Sequence, residues 1–227
     1  MFEEFLKREK AIFDILNRLS GEKLTFVVIG GYGVSAYKHR FSVDADIVVS
    51  HEDVVKFEAV MVKNGFKKTA SRELENVYSS KFIRYEKEDS KISIDILVGG
   101  VGVRQTGAAF SYEILLKNSS LRKITGTTGE VKALVPEREV LIAMKLQSGR
   151  LTDLRDVVAL SKGSDVKLVK AFLQSGDKKQ IRDHLTNLSS ILDTKGFMDS
   201  FKGVFVEKKY DVDVETVKKI CNLADDI

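Results

Sequence analysis

The sequence predicts an α/β (α+β) fold in which a mixed β-sheet flanked by helices is followed by a C-terminal helical lobe. Up to about residue 136, short runs rich in β-branched residues alternate with helical patterns. The run from Ile92 to Val98 places apolar residues at every second position, with Ser93 and Asp95 between them, as in a strand with one buried face. Beyond Pro136 only helical patterns follow. We therefore predict two domains, residues 1–136 and residues 137–227.

Each element has its own local signal. Apolar residues at helical spacing predict a helix over residues 2–19, which Ser20-Gly21 ends. Two further helices are predicted in the first domain, at 31–39 and, capped by Ser50, at 51–63. Strands are predicted at 25–29, 46–49, 66–70, 81–85, 91–98, 121–127 and 131–135. The glycine-rich segment 99–102 predicts a loop, and Pro136 with Glu137 and Glu139 predicts the start of the helical part.

Composition excludes several classes of protein. The chain has 227 residues, a net charge of +4 and one cysteine, Cys221. A single cysteine excludes an internal disulfide framework and a cysteine-based zinc site. No apolar run approaches the roughly 18 residues that a membrane span needs, and the N-terminus lacks the pattern of a signal peptide. These observations predict a cytoplasmic protein without a membrane partner.

Two carboxylates separated by one residue stand out in the first domain. Asp44 and Asp46 flank Ala45 at the start of a predicted strand, so both side chains point to the same face. At 4 Å separation they would repel each other by about 4 kcal/mol in a near-surface dielectric. A hard divalent cation such as Mg²⁺ would relieve that repulsion.

A third carboxylate, Asp95, lies in a strand otherwise made of isoleucines and one serine. An unpaired charge buried there would cost several kcal/mol. If the strands are neighbours, Asp44, Asp46 and Asp95 form a cage of oxygen ligands for Mg²⁺. The alternative is that Asp95 faces solvent and Asp44 or Asp46 caps a turn.

The order of these features resembles the polymerase-beta-type nucleotidyltransferase superfamily. Its pattern is a strand, a double glycine (here Gly30-Gly31), a helix, a D-x-D pair and a later strand carboxylate, and the resemblance covers roughly residues 25–160. Within it the chain is similar to the stand-alone bacterial and archaeal enzymes of the abortive-infection toxin (AbiEii-like) group. In that group a helix carries a lysine, here Lys145, and a downstream segment reads R-x-x-D-x-x-D, here Arg150 to Asp156.

The resemblance implies a nucleotidyltransferase core at residues 1–136 and a role for each matching residue. It implies that Asp44, Asp46 and Asp95 are the catalytic residues. It also implies that the same three residues bind two Mg²⁺ or Mn²⁺ ions. It implies nucleotide binding by Gly30, Gly31, Ser42, Lys145 and Asp153. Many relatives have Ser or Thr after the double glycine, whereas this chain has Tyr32, so a hydroxyl contact to the phosphates is lost or comes from Ser35 or Ser42. Without the resemblance, Lys145 and Asp153 would be ordinary helix-surface and ion-pair residues.

The implied reaction is the transfer of NMP from an NTP, such as ATP, to an acceptor hydroxyl with release of pyrophosphate. The acceptor is an RNA 3′ end such as that of tRNA, a protein or a small molecule. A homodimer and an antitoxin are the protein partners that this interpretation allows. Two alternatives stay open: a catalytically silent nucleotide-binding or regulatory module with the same fold, and an unrelated α/β domain whose three carboxylates never meet.

Overall fold

The computed structural model describes residues 2–73, 81–201, 204–205 and 212–227. It divides into two compact units. The first unit consists of residues 1–101 and 110–136, and the second consists of residues 102–109 and 137–227. The mixed α/β architecture that the sequence predicts is confirmed. None of the described helices is long and apolar enough to cross a membrane.

Among the residues that the structure describes, the first unit contains four helices and most of the strands. The helices are α1 (Phe2–Gly21), α2 (Gly30–Ser35), α3 (Val54–Lys63) and α4 (Tyr112–Lys117). The strands of its sheet are β1 (Phe26–Ile29), β2 (Asp44–Val49), β3 (Lys67–Glu73), β4 (Lys81–Lys87), β5 (Ile92–Val98), β8 (Ser119–Thr125) and β9 (Glu130–Pro136). Two short strands, β6 (Gly100–Gly102) and β7 (Ala109–Ser111), form a separate two-stranded sheet.

The main sheet has seven strands in the order β3-β4-β5-β2-β1-β9-β8. The pairs β2–β5 and β1–β9 are parallel, and the other four pairs are antiparallel. The sheet is therefore mixed. Its parallel pair β2–β5 joins segments almost fifty residues apart in the chain, and it is this pair that sets the position of the candidate site.

The strands β2, β4 and β5 have one apolar and one polar face because successive side chains point to opposite sides. The apolar face carries Ala45, Ile47, Ile83, Tyr85, Ile94 and Ile96, all of which are buried. The opposite face carries Asp44, Asp46, Arg84, Glu86, Ser93 and Asp95, of which only Asp95 is buried. Helix α1 contacts β5 and β9, and its buried residues Ile12, Leu16 and Leu19 lie at helical spacing. The charged face of these strands is therefore the accessible one.

In the ranges that the structure describes, the second unit consists mainly of helices. Its helices are α5 (Arg138–Ser148), α6 (Leu151–Ser161), α7 (Val166–Phe172), α8 (Lys178–Leu192), α9 (Lys195–Ser200) and α10 (Val214–Cys221), followed by a 3₁₀ turn at Asn222–Asp225. Helix α5 packs against α6, α7 and α8. Its residues from Val140 to Met144 are all buried, so this helix is the centre of the unit.

The structure differs from the sequence-based expectations at several elements. The helix predicted over 31–39 ends at Ser35, because the amides of Tyr37 and Lys38 both bond to the carbonyl of Val34 in a tight turn. The segment 99–102 is not a loop, since Gly100–Gly102 pairs as a strand. Helix α3 begins at Val54, and Ser50 instead bonds to the amide of Asp53. The short elements α4 and β7 were not predicted.

The two compact units differ from the predicted domains, residues 1–136 and 137–227, in the position of one segment. Residues 102–109 belong to the second unit, whereas the prediction placed them in the first domain. Within this segment the amide of Val103 bonds to the carbonyl of Ala108. The carbonyl of Thr106 accepts a 2.7 Å bond from the amide of Asp177, which precedes α8. These bonds tie a segment of the sequence-defined first domain to the helical unit.

Candidate active site

The register of the parallel pair β2–β5 sets the positions of the three strand aspartates. Asp46 lies opposite Asp95, and Asp44 lies opposite Ser93. Paired residues on neighbouring strands are about 4.8 Å apart and share a face of the sheet. Asp46 and Asp95 are therefore direct neighbours, and Asp44 is one pleat away on the same face.

Asp95 is held by Arg84 of the next strand, β4. The two residues are opposite each other in the antiparallel pairing of β4 and β5. Arg84 Nε donates to one carboxylate oxygen and its Nη2 to the other, both at 2.7 Å. This bond pair raises the pKa of Arg84 above its ordinary value. The negative charges of Asp95, Glu86 and Asp44 also raise the pKa, whereas partial burial lowers it. The ion pair satisfies the carboxylate of a residue that is only 5% exposed.

The double glycine is required by close approach of side chains to the backbone. Gly30 has φ +62°, and a side chain there would overlap the carboxylate of Asp46. A side chain at Gly31 would overlap the hydroxyl of Ser42. The turn from β1 into α2 therefore lies directly against the D-x-D strand and the segment before it. Replacement by any other residue would displace Asp46 or Ser42.

Two hydroxyl groups beside the double glycine are used within the protein. Tyr32 is 1% exposed, and its hydroxyl donates a 3.0 Å bond to the carbonyl of Ser42. Burial raises the pKa of Tyr32, so it stays neutral. Ser35 donates to the carbonyl of Thr125. The Ser42 hydroxyl lies 3.3 Å from a carboxylate oxygen of Asp44. Of the two serines that the sequence offers for a phosphate contact, Ser42 is the one beside the carboxylates.

A second ionic cluster lies in the helical unit. Lys145 Nζ contacts Asp153 at 2.9 Å and Asp156 at 2.8 Å, and its side chain is 12% exposed. The other carboxylate oxygen of Asp153 accepts bonds from Ser148 at 2.8 Å and from Arg150 at 2.6 Å. Asp153 and Asp156 are both buried, and Lys145 is a cation that contacts both of them.

Burial and ion pairing have opposite effects on the pKa values of Lys145 and Asp153. Burial by itself would lower the pKa of Lys145, but the charges of Asp156 and Asp153 raise the pKa above its ordinary value. Burial would likewise raise the pKa of Asp153, but Lys145 and Arg150 lower it. Lys145 and Asp153 are therefore charged at neutral pH.

The structure brings the predicted residues together in two groups. Asp44, Asp46, Asp95, Gly30, Gly31 and Ser42 are neighbours in the first unit. Lys145 and Asp153 are in contact in the second unit.

Sequence reasoning missed two charged residues at the first group. Arg84 pairs with Asp95, and Glu86 lies opposite Ser93 on the carboxylate face. Alternation along β4 could have placed Arg84 and Glu86 on one face. Only the strand order, which puts β4 beside β5, could have assigned that face to Asp95.

The donor set of the first group fits a hard divalent cation. Asp44 and Asp46 are half-buried carboxylates on one face beside a turn that only glycine can form. Asp95 is the neighbouring carboxylate, but Arg84 occupies both of its oxygens. In the part of the chain that the structure describes, no group of three His, Cys, Asp or Glu residues is arranged to hold a metal ion. Asp44 and Asp46 are the two carboxylates of this face that lie beside the double glycine.

Comparison with known proteins finds similarity in structure alone. Neither a protein-family model nor a curated protein matches the sequence. The antibiotic-resistance factor ANT(2'')-Ia is similar in structure, with TM-score 0.50 and 14% identity over 80% of this chain and 94% of that chain. JHP933 from Helicobacter pylori has TM-score 0.50 and 15% identity over 98% of this chain and 91% of that chain. The lincosamide antibiotic adenylyltransferase LnuA has TM-score 0.47 and 18% identity over 69% and 98%.

At these identities the likeness concerns the fold. The mixed seven-stranded sheet with flanking helices is consistent with a nucleotidyltransferase fold. The chain covers nearly the whole length of ANT(2'')-Ia and JHP933. The fold that the resemblance implied is therefore confirmed, and the chemistry depends on the residues of the site.

Proposed function

We propose that this protein is a Mg²⁺-dependent nucleotidyltransferase of the polymerase-beta type, which transfers NMP from an NTP to an acceptor hydroxyl. One observation carries the proposal. Asp46 lies opposite Asp95 with Asp44 one pleat away, and the carboxylate of Asp46 lies against Gly30 of the double glycine. Paired carboxylates beside a tight turn after a strand suit a nucleotide whose phosphates approach the backbone.

The reaction is an in-line displacement at the α-phosphorus. The acceptor oxygen forms a new bond to this phosphorus while the bond to the oxygen bridging to the β-phosphorus breaks. Pyrophosphate leaves with that electron pair. The hydroxyl proton passes to Asp95, whose carboxylate keeps acceptor positions beyond the two that Arg84 occupies. Positioning and electrostatic stabilisation account for most of the rate in such transfers.

Asp44 and Asp46 would hold one or two Mg²⁺ or Mn²⁺ ions. A bound divalent cation supplies positive charge against the phosphate oxygens. Ser42 keeps Asp44 oriented through its hydroxyl, 3.3 Å from the carboxylate. Gly30 and Gly31 would bind phosphate oxygens through their backbone amides, in a turn that lies directly against the Asp46 carboxylate and the Ser42 hydroxyl.

Lys145 and Asp153 are proposed to bind the nucleotide. The Lys145 ammonium has three N–H donors, and Asp153 and Asp156 are its two carboxylate partners. The third donor is proposed to bind a phosphate. Asp153 holds the lysine in place and is itself fixed by Ser148 and Arg150. Charged Lys145 is the form that a phosphate requires, and the raised pKa of this ammonium favours it.

The proposed subgroup is that of the abortive-infection (AbiEii-like) enzymes. Its support is the contact between Lys145 and both aspartates of the R-x-x-D-x-x-D segment, Asp153 and Asp156. This assignment implies a cytoplasmic protein and allows an antitoxin or a second copy of the chain as partner. Co-expression with the product of an adjacent gene tests the antitoxin: we expect growth arrest by the chain alone and rescue by its neighbour.

We propose a small molecule as the acceptor. The support is the fold shared with ANT(2'')-Ia, which is an antibiotic-resistance factor. The net charge of +4 is small for a protein that binds long RNA by neutralising phosphates. An RNA 3′ end such as that of tRNA and a protein hydroxyl are the other acceptors that the test must include.

A second candidate function is a silent nucleotide-binding or regulatory module. The observation that favours it is the bond pair from Arg84, which occupies both oxygens of the carboxylate proposed to accept the proton. In this case the protein binds NTP and transfers nothing.

The two functions can be distinguished by labelling the NTP at either the α- or the γ-phosphate and following where the label goes. The protein is incubated with Mg²⁺ and each NTP, labelled either at the α- or at the γ-phosphate, together with aminoglycosides, lincosamides, total tRNA or lysate protein. The proposal predicts that α-label moves to one acceptor class and that γ-label appears as pyrophosphate. Saturable NTP binding without transfer to any acceptor would instead establish the silent module.

A further inference from the structure

Arg84 and Asp95 form the most specific ion pair on the accessible face of the sheet. The planar guanidinium donates to both carboxylate oxygens at 2.7 Å, the short distance of charge-assisted bonds. The Arg84 side chain is 39% exposed, whereas that of Asp95 is 8% exposed. Asp95 is thus fixed in one orientation by a partner that itself reaches water.

The strand order places the partners of Asp95 on opposite sides. Strand β5 lies between β4, which carries Arg84, and β2, which carries Asp46. A carboxylate accepts about four hydrogen bonds or ligand bonds in total, and Arg84 takes two of them. Acceptor positions remain, but a divalent cation shared by Asp46 and Asp95 would bind oxygens that already carry a guanidinium bond, and the two cations would compete for the same negative charge.

We propose that Arg84 competes with the divalent cation for Asp95, so that the protein without nucleotide binds the cation weakly and binds it fully only when Arg84 releases Asp95. This inference rests on the proposed function, because it assumes that Asp95 completes the metal site. Arg84 is accordingly a positioning residue. It balances the charge of Asp95 beside Asp46 while no cation is bound.

The surroundings give Arg84 another partner after release. Glu86 is two residues further along β4, so its side chain lies on the same face. The charges of Glu86 and Asp44 both act on the Arg84 guanidinium. Because the side chain is partly exposed, hydration also offsets the loss of one bond to Asp95. Release therefore leaves no buried, unpaired arginine.

Manganese binding measured by electron paramagnetic resonance tests this inference without any transfer reaction. Free Mn²⁺ is titrated against the protein alone and against the protein with a non-hydrolysable NTP analogue. The variants are Arg84→Gln, Arg84→Lys and, as a matched control, Arg72→Gln. Arg72 is exposed on β3 opposite Phe82, so its replacement removes the same charge near the same face without touching Asp95.

The expected result is an Mn²⁺ affinity without nucleotide that rises about tenfold in Arg84→Gln and less than about twofold in Arg72→Gln. Arg84→Lys should tighten binding about threefold, because a lysine keeps the charge but not the two-pronged contact. With the nucleotide analogue present, the differences between the variants and the original protein should shrink. Circular dichroism checks folding, and if Arg84→Gln fails to fold, the lysine variant decides.

Two results would overturn the inference in distinguishable ways. If Asp46→Asn abolishes Mn²⁺ binding but the Arg84 variants bind no more tightly than Arg72→Gln, the metal site stands and the competition is wrong. If neither the original protein nor any variant binds Mn²⁺ with the nucleotide analogue, the competition and the proposed metal site both fail.

Discussion

Asp46 lies between two features that are 65 residues apart in the chain: it is paired with Asp95 of β5, and its carboxylate lies against Gly30. Strand β2 is central in this arrangement because it is antiparallel to β1 and parallel to β5. The backbone turn and the later carboxylate therefore meet at one residue. This relationship allows the contribution of each feature to be tested separately.

The double glycine should tolerate no side chain at its first position. Gly30→Ala places a Cβ where the Asp46 carboxylate lies and forces a left-handed conformation, so we expect a loss of about 1–3 kcal/mol in the free energy of unfolding. Affinity for Mg²⁺·NTP should fall as well, because Asp46 is displaced. Urea unfolding and calorimetric titration measure the two effects. Gly129→Ala is the control, since nothing lies within 4 Å of its Cβ position; equal behaviour of the two variants would contradict the account.

The buried cluster around Lys145 should dominate the stability of the helical unit. Asp153→Asn removes one carboxylate from Lys145 and from Arg150, and breaking such a buried pair costs about 3–5 kcal/mol. Urea unfolding at pH 7 measures this cost. Glu215→Gln, which removes the exposed partner of Lys219 in the same unit, should leave the free energy of unfolding unchanged.

The same variant should change how stability depends on pH. Since the folded pKa of Asp153 is lowered, its contribution is present above the unfolded pKa of about 3.9 and is lost as the pH falls below that value. The difference in unfolding free energy between the original protein and Asp153→Asn should therefore be largest near neutral pH and shrink below about pH 4. A difference that stays constant down to pH 2 would show that Asp153 contributes through shape and not through charge.

Glu9 should anchor α1 to the turn between β8 and β9. Its carboxylate accepts bonds from the amide and the hydroxyl of Thr128, at 2.7 and 2.9 Å, and the residue is 1% exposed. Glu9→Ala leaves both donors without this acceptor and should cost about 1–3 kcal/mol of unfolding free energy. Thermal and urea unfolding measure the loss. Glu3→Ala on the exposed side of the same helix should have no effect, and a similar loss there would mean that helix propensity is responsible.

Tyr32 should act on the nucleotide through Ser42. Tyr32→Phe removes the bond to the Ser42 carbonyl, at a cost of about 0.5–1.5 kcal/mol in stability. Tyr37→Phe is a matched control, because it also loses one hydroxyl-to-carbonyl bond, to Pro136. Both variants should lose similar stability, but only Tyr32→Phe should weaken NTP binding in a calorimetric titration. Equal NTP affinities for the two variants would remove Ser42 from the nucleotide site.

Local sequence patterns predicted most of the helices and strands. The order and register in which the strands pair could not be predicted from those patterns. Alternation in 92–98 placed Asp95 on the polar face of a strand, and the D-x-D spacing put Asp44 and Asp46 on one face. The parallel register that sets Asp46 against Asp95 depends on a strand order that no local pattern contains. The partner of Asp95, Arg84, was missed for the same reason.

The helical unit shows a different limit of sequence reasoning. The spacing of Asp153 and Asp156 indicated a shared helix face, but contact of both with Lys145 depends on how α5 packs against α6. Sequence alone could not assign residues 102–109 to the helical unit. Their contacts with that unit join segments far apart in the chain, such as the bond from the Asp177 amide to the Thr106 carbonyl.

Nucleotidyl transfer by Asp46→Asn compared with Asp89→Asn tests the central claim most directly. Asp89 is an exposed aspartate in the turn between β4 and β5. Its variant therefore makes the same chemical change away from the cluster of strand aspartates around Asp46. With α-labelled NTP, Mg²⁺ and the acceptor found by the panel, the account predicts a loss of at least about a hundredfold in rate for Asp46→Asn, with the fold intact, and full activity for Asp89→Asn. Transfer by Asp46→Asn at the rate of Asp89→Asn would contradict it.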